Sequence, residues 1–171
     1  MLEAGGFALE ARLDLMTCTP ATVRRPPETD GLRFEAVEGG SPRELVRGLL
    51  SAQRGSFDQV GPPTDDDVER FSSSGILATL DGEPVAGGVF TAPDDGLSEL
   101  AGIGTLPPFR RRGIAAALTS ALASAAFGRG VEIAFLTSGD GDTRRVYGRA
   151  GFAVTSTMLA YARGEFAKRD A

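Results

Sequence analysis

The 171-residue sequence has no histidine and no tryptophan, and only one cysteine and two tyrosines. Without histidine, Ser-His-Asp and Cys-His nucleophilic catalysis are excluded, as is every histidine-ligated metal site. The single Cys18 excludes an intrachain disulfide and leaves a thiolate metal centre without ligands. It reads as a small buried hydrophobe. Basic charge is in deficit: 18 Lys+Arg stand against 23 Asp+Glu, a net charge of -5, which argues against a general nucleic-acid binder. The most apolar stretch, Ile114–Phe127, is shorter than a bilayer span and interrupted by Thr119, Ser120 and Ser124. Met1-Leu2-Glu3-Ala4 has neither a basic n-region nor a following apolar run. The expectation is a cytoplasmic protein with no membrane, nucleic-acid or metal partner.

With 42% hydrophobic and 24% charged residues, the chain suits one core of ordinary size. Residues 7–17 alternate, with Phe7, Leu9, Ala11, Leu13 and Leu15 on one face and Glu10, Arg12 and Asp14 on the other. That period predicts a half-buried strand, which must pair with a sheet edge to be stable. The connector from Thr19 to Gly31, with Pro20, Pro26 and Pro27, is extended. It is long enough to reach an edge of its own sheet or that of a second copy, which allows a homodimer. Residues 1–31 thus separate from a main domain at 32–171.

In that domain Leu32–Val37 predicts a strand, and Ser41-Pro42-Arg43-Glu44 predicts a capping box opening a helix from Pro42 to about Gln53. Thr64-Asp65-Asp66-Asp67 predicts a second helix start, its acids either favouring the helix N-terminus or recognising a cation. Asp81-Gly82 predicts a hairpin between Ile76–Leu80 and Pro84–Thr91. Leu97–Thr105 and Val131–Thr137 read as strands around a helix at 113–127. A short helix at 142–150 and closing strands at 152–155 and 157–163 follow. Mostly antiparallel strands with one strand–helix–strand crossover give an α+β sheet.

The most informative stretch is Leu106-Pro107-Pro108-Phe109-Arg110-Arg111-Arg112-Gly113-Ile114-Ala115. A strand that turns through arginines and a glycine into a helix N-terminus is an anion site, because the first-turn N–H groups lack intrahelical partners. Glycines at 102 and 104 mark a bulge or a close backbone approach on the strand before it.

The order Arg-x-x-Gly-x-Ala resembles the acyl-CoA pyrophosphate loop of the GNAT superfamily of N-acyltransferases. Tyr147-Gly148-Arg149-Ala150-Gly151-Phe152, one strand later, resembles that family's second signature, and the likeness covers roughly residues 32 to 163. The resemblance implies a mixed, mostly antiparallel sheet with a splayed parallel strand pair. It implies acetyl-CoA as cosubstrate, a small-molecule or peptide amine as acceptor, and direct attack of the amine on the thioester. Ile103, Gly104 and Thr105 would pair with pantetheine. Arg110, Arg111, Arg112, Gly113, Ile114, Ala115 and Ala116 would hold the pyrophosphate. Tyr147 stands where the family's general acid stands. Glu99, eleven residues before Arg110, matches the position of the base in histone-acetylating members, or is a solvent-facing strand residue. Arg144, Arg145 and Arg149 either meet the cofactor's 3′-phosphate or are solvated helix charges. An alternative implication is an acyl-CoA-binding module without turnover. Gly5-Gly6-Phe7 echoes Ala150-Gly151-Phe152, so residues 1–31 also resemble the end of an upstream acetyltransferase-like half.

Overall fold

In a computed structural model describing residues 6–59 and 61–163, seven strands form one sheet in the order β2-β3-β4-β5-β6-β1-β7. They are β1 (Phe7–Cys18), β2 (Leu32–Val37), β3 (Ser74–Leu80), β4 (Glu83–Phe90), β5 (Leu97–Thr105), β6 (Ile133–Ser138) and β7 (Ala153–Arg163). The helices are α1 (Arg43–Ser56), α2 (Asp65–Glu69), α3 (Ile114–Phe127) and α4 (Gly141–Arg149). Every neighbouring pair is antiparallel except β5 and β6, which α3 connects. This is the expected α+β fold, a mostly antiparallel sheet with one parallel pair. The first residues of the chain and the end of the main domain, 1–5 and 164–171, lie outside the described residues.

The parallel ladder is short. It runs from Leu97↔Ile133 to Glu99↔Phe135 and stops, while β5 continues to Thr105 and β6 to Ser138. β5 is also bulged there: its register with β4 slips between Gly87 and Val89, and Gly102 takes φ 59°. An extra residue in one strand bends it and raises its twist, which carries the end of β5 away from β6.

Two apolar layers hold the sheet. On one face, Ile114, Leu118 and Leu122 of α3 meet Met16, Phe90, Leu100, Leu136 and Phe152. On the other, Val46, Leu49 and Ala52 of α1 meet Val37 and Leu77. The contacts of α1 are with β2 to β5, so it covers half of the sheet.

Local turn chemistry behaves as its residues dictate. Asp81 and Gly82 both adopt positive φ, 52° and 87°, the geometry that a two-residue hairpin favours. Thr64 and Asp67 form a reciprocal capping box. The Ser41 box does not form. Pro42 caps α1 without a side-chain bond, and Ser41 Oγ instead accepts from the Glu38 N–H at 2.9 Å, closing the turn that precedes the helix. The helix runs on to Ser56, and the two closing strands are one, β7, made continuous by its pairing with β1.

The largest departure concerns β1. It joins no edge; it lies between β6 and β7, pairing antiparallel with both. Its deepest residues are Met16 and Cys18, each 1% exposed, on the same face as Asp14, whereas Leu9, Leu13 and Leu15 are only half-buried. The alternation was read correctly as a strand, but the helices decide which face is core. The core built around α3 takes Met16 and Cys18, and α1 stops at β5.

The Thr19–Gly31 connector then crosses the start of β7. The Arg24 N–H bonds the Ala150 carbonyl at 3.0 Å. Gly151, at φ 101°, sits so close to the Thr22 carbonyl that a Cβ has no room.

Removing residues 1–18 should abolish cooperative unfolding in urea, because β7 loses its partner and the core loses Met16. In the full chain, Met16→Ala should cost about 2–5 kcal/mol. Leu13→Ala should cost less in the same urea titration.

Candidate active site

Beyond the point where β5 and β6 part, a cleft of about 670 Å³ opens. Ile103, Gly104 and Thr105 of β5 form one wall. Phe109, Arg110, Arg111 and Gly113 to Ala116 form the base, with α4 and the end of α1 completing it. The 3-10 turn Pro107–Phe109 leads into a loop with two left-handed residues, Arg111 at φ 66° and Gly113 at φ 81°. Among the described residues, the backbone N–H groups from Arg111 to Ala116 donate no hydrogen bond, and the first helical bond is Ala117 N–H to Gly113 C=O at 3.1 Å. A row of free donors at the start of a fourteen-residue helix is a strong anion cradle. A Cβ built on Gly113 meets no protein atom within 4 Å, so the space over the loop is open.

The three arginines divide their work. Arg110 bonds the Thr105 carbonyl through Nε at 3.0 Å and the Ser56 carbonyl through a terminal nitrogen at 2.9 Å. It ties the end of β5 to the end of α1. Arg112 does not line the cleft and lies over the Phe109 ring at 5.5 Å. Arg111 lines the cleft and makes no ion pair among the described residues, and Arg149 of α4 does the same, leaving two guanidinium groups for an anion.

Among the described residues one buried side-chain polar atom is unsatisfied: Thr105 Oγ1, in a residue 8% exposed on the cleft wall. An orphaned hydroxyl there suits a ligand with amide groups. Gly104 leaves no room for a side chain, since its Cβ would collide with Ser56.

α4 contributes Asp142, Thr143, Arg145, Val146 and Arg149 to the cleft. Asp140 caps this helix, and the Thr143 N–H it accepts at 2.7 Å holds its carboxyl below the usual range. Arg145 pairs with Asp142, while Arg144 points elsewhere and bonds Asp14 at 3.2 Å. Sequence reasoning missed Ser56 and Phe57, which reach the cleft only because α1 ends against β5; nothing local marks them.

Glu99 and Tyr147 are not in the cleft wall. Glu99 is the last paired residue of β5 before the strands part, held through its backbone by Thr91: the Thr91 N–H donates to its carbonyl at 3.0 Å and its own N–H to Thr91 Oγ1 at 2.9 Å. Tyr147 packs against the α3 core cluster beside the cleft residue Val146. Burial, and secondarily the charge of Asp140, push its phenol above the ordinary value. The acids at 65–67 are spoken for. Asp65 bonds Arg47 at 2.5 Å and Arg43 at 3.2 Å, Asp66 bonds Arg70 at 3.1 Å, and Asp67 bonds Arg54 at 2.8 Å. Among the described residues no group of three or more His, Cys, Asp or Glu could hold a metal ion, and no helix is long and apolar enough to cross a membrane.

The model of the acetyltransferase (GNAT) family matches residues 45–152, which include the loop, α4 and the parting strands. The chain belongs to the GNAT family. GNAT structures share its fold. A GCN5-related N-acetyltransferase from Kribbella flavida is 27% identical, with a TM-score of 0.76 over 95% of this chain and 62% of its own. A tandem GNAT protein from the clavulanic acid biosynthesis pathway has a TM-score of 0.69 at 9% identity over 94% of this chain and 56% of its own. An aminoglycoside acetyltransferase from an uncultured soil metagenomic sample has a TM-score of 0.59 at 19% identity over 73% of this chain and 93% of its own. No curated protein matches the sequence. The chain thus spans about three-fifths of the length of the Kribbella and tandem GNAT structures.

The loop geometry sets what a side chain at 113 costs. At φ 81° any L-residue is strained, by about 1–2 kcal/mol. Gly113→Val should therefore lower the urea midpoint, and Gly113→Asn, which tolerates this conformation better, should lower it less. Both also put atoms into the open space over the donors. Tyr147 gives a pH test. Its folded pKa is raised above the unfolded value of about 10. Its stabilising contribution is therefore complete below that pH and lost as pH rises through the folded value. Tyr147→Phe should remove that part of the alkaline loss of stability.

Proposed function

We propose that this chain is an N-acetyltransferase that moves the acetyl group of acetyl-CoA to a primary amine by direct attack, in the cytoplasm. One observation carries the reading: the unbonded N–H groups from Arg111 to Ala116 lie in the same cleft as the orphaned Thr105 hydroxyl, where β5 leaves β6. The donors and Arg111 suit a pyrophosphate. Ile103, Gly104 and Thr105 suit the pantetheine amides. Arg110 positions the loop rather than the ligand, and Arg112 supports it through Phe109.

The amine nitrogen forms a bond to the thioester carbonyl carbon, and the carbon–sulfur bond breaks. Glu99, at the point of separation, takes the proton the ammonium must lose, directly or through water. Tyr147, a phenol protonated at neutral pH and held more firmly so by its burial, gives a proton to the leaving sulfur and regains the one that the acylated nitrogen sheds. A second reading has support of its own. Glu99 and Tyr147 both stand outside the cleft wall, as suits a module that binds acyl-CoA without turnover. Residues 1–31 fit the remnant of an upstream half in either case, and a homodimer remains compatible with both.

Acetyl-CoA should raise the melting temperature, as a ligand that binds only the folded state does. Release of free thiol over an amine panel decides between the readings; stabilisation without thiol release selects the binding module. In an active enzyme, Tyr147→Phe should lower kcat by about 10²–10⁴-fold with acetyl-CoA affinity unchanged. Glu99→Gln should lower the rate most at low pH, where the ammonium is hardest to deprotonate. An unchanged profile removes Glu99 as base.

A further inference from the structure

Strand register fixes which side chains share a face, since directly paired residues project to the same side of a sheet. Gly87 pairs with Gly104, and Cβ atoms at both positions would meet α1. Val89 packs on the α1 cluster and pairs with Ala101, which puts Ala101 and Glu99 on the α1 side. Glu99 pairs with Phe135, Thr17 with Phe135, Leu15 with Thr137 and Ser156, and Leu13 with Met158. The α1-side face of the second half of the sheet is therefore Phe135, Leu15, Leu13 and Met158, interleaved with the hydroxyls of Thr17, Thr137 and Ser156.

Three features of this face bear on what it binds. Among the described residues no helix covers it, because α1 packs on β2 to β5 and the α3 core lies on the other side. Its apolar side chains are half-buried or, for Met158, 42% exposed, so the floor is shallow and accessible. Across β1, β6 and β7, residues 13–17, 133–137 and 156–158 place no charge on it. Among the described residues of these strands the charge on this face is Glu99, at the edge where the face meets the opening between β5 and β6. The acids at 65–67, on the helix after α1, are already paired with arginines.

We infer that the acceptor is a primary monoamine with an apolar body, its body lying on Phe135, Leu15, Leu13 and Met158 and its ammonium at Glu99. The inference rests on the transferase reading above and narrows its substrate class. A polycationic acceptor such as an aminoglycoside or a polyamine needs several unpaired carboxylates, and this face presents one. A second copy of the chain is the competing occupant of the same surface.

The test measures kcat/KM for thiol release with straight-chain alkylamines of increasing length, spermidine and an aminoglycoside. Each methylene laid on the floor should raise kcat/KM by up to about fourfold. Met158→Thr, a strand-favouring replacement at a position 42% exposed, should flatten that slope while leaving acetyl-CoA binding unchanged. Faster turnover of spermidine or the aminoglycoside, with no dependence on chain length, overturns the inference and leaves the transferase reading intact. Acetyl-CoA binding with no thiol release for any amine overturns both. A concentration-dependent dimer in analytical ultracentrifugation that Met158→Asp dissociates assigns the face to a second copy, and overturns the inference alone.

Discussion

The structure depends on a parallel ladder that stops after three pairs. Two strands joined through α3 would ordinarily pair along their whole length. Here the bulge at Gly102 carries β5 away from β6 once Glu99 and Phe135 have paired. Backbone groups left without a ladder must find other partners or be solvated. Two carbonyls of the diverging strand are capped by side chains: Gln53 donates to Gly102 and Arg110 to Thr105. Both donors bring α1 into the account, Gln53 as a member of it and Arg110 through the Ser56 carbonyl. The cleft, the loop and the covering helix are held in register by one departure from regular pairing.

Charge follows the same economy. The chain is acidic overall, yet most of its described aspartates near α1 and α4 are matched by arginines or used as helix caps. That leaves Arg111 and Arg149 as the open cations of the cleft and Glu99 as an open anion on the sheet face. A net charge says little about a site when the pairs cancel locally; the residues left over describe it better.

Legibility in the sequence tracked how local the determining forces are. The Asp81-Gly82 turn, the Thr64 capping box and the arginine–glycine helix start were readable because each is set within a few residues. Arg110 was readable as part of the loop but not as its brace, since its partners come from β5 and α1. Arg112 looked equivalent to its neighbours until a ring claimed it. The position of β1 was unreadable for a different reason. Period-two alternation names a strand and its two faces, but helices far along the chain decide which face is core. Ser41 shows the converse: the right residues for a cap, used instead by the preceding turn.

The placement of β1 between β6 and β7 has a consequence for how the molecule comes to be folded. Residues near the start of the chain pair with strands near its end, Cys18 with Ala134 and Phe7 with Arg163. The connector that follows is laced over Gly151. Such contacts have the greatest sequence separation the chain allows, and closing them carries the largest loop entropy. During synthesis β1 leaves the ribosome well before β6 and β7, the two strands that flank it. It must wait for nearly all the rest of the polypeptide before the gap that receives it exists. Its charged positions, Glu10, Arg12 and Asp14, are of the kind that oppose pairing of an unpartnered strand with another chain.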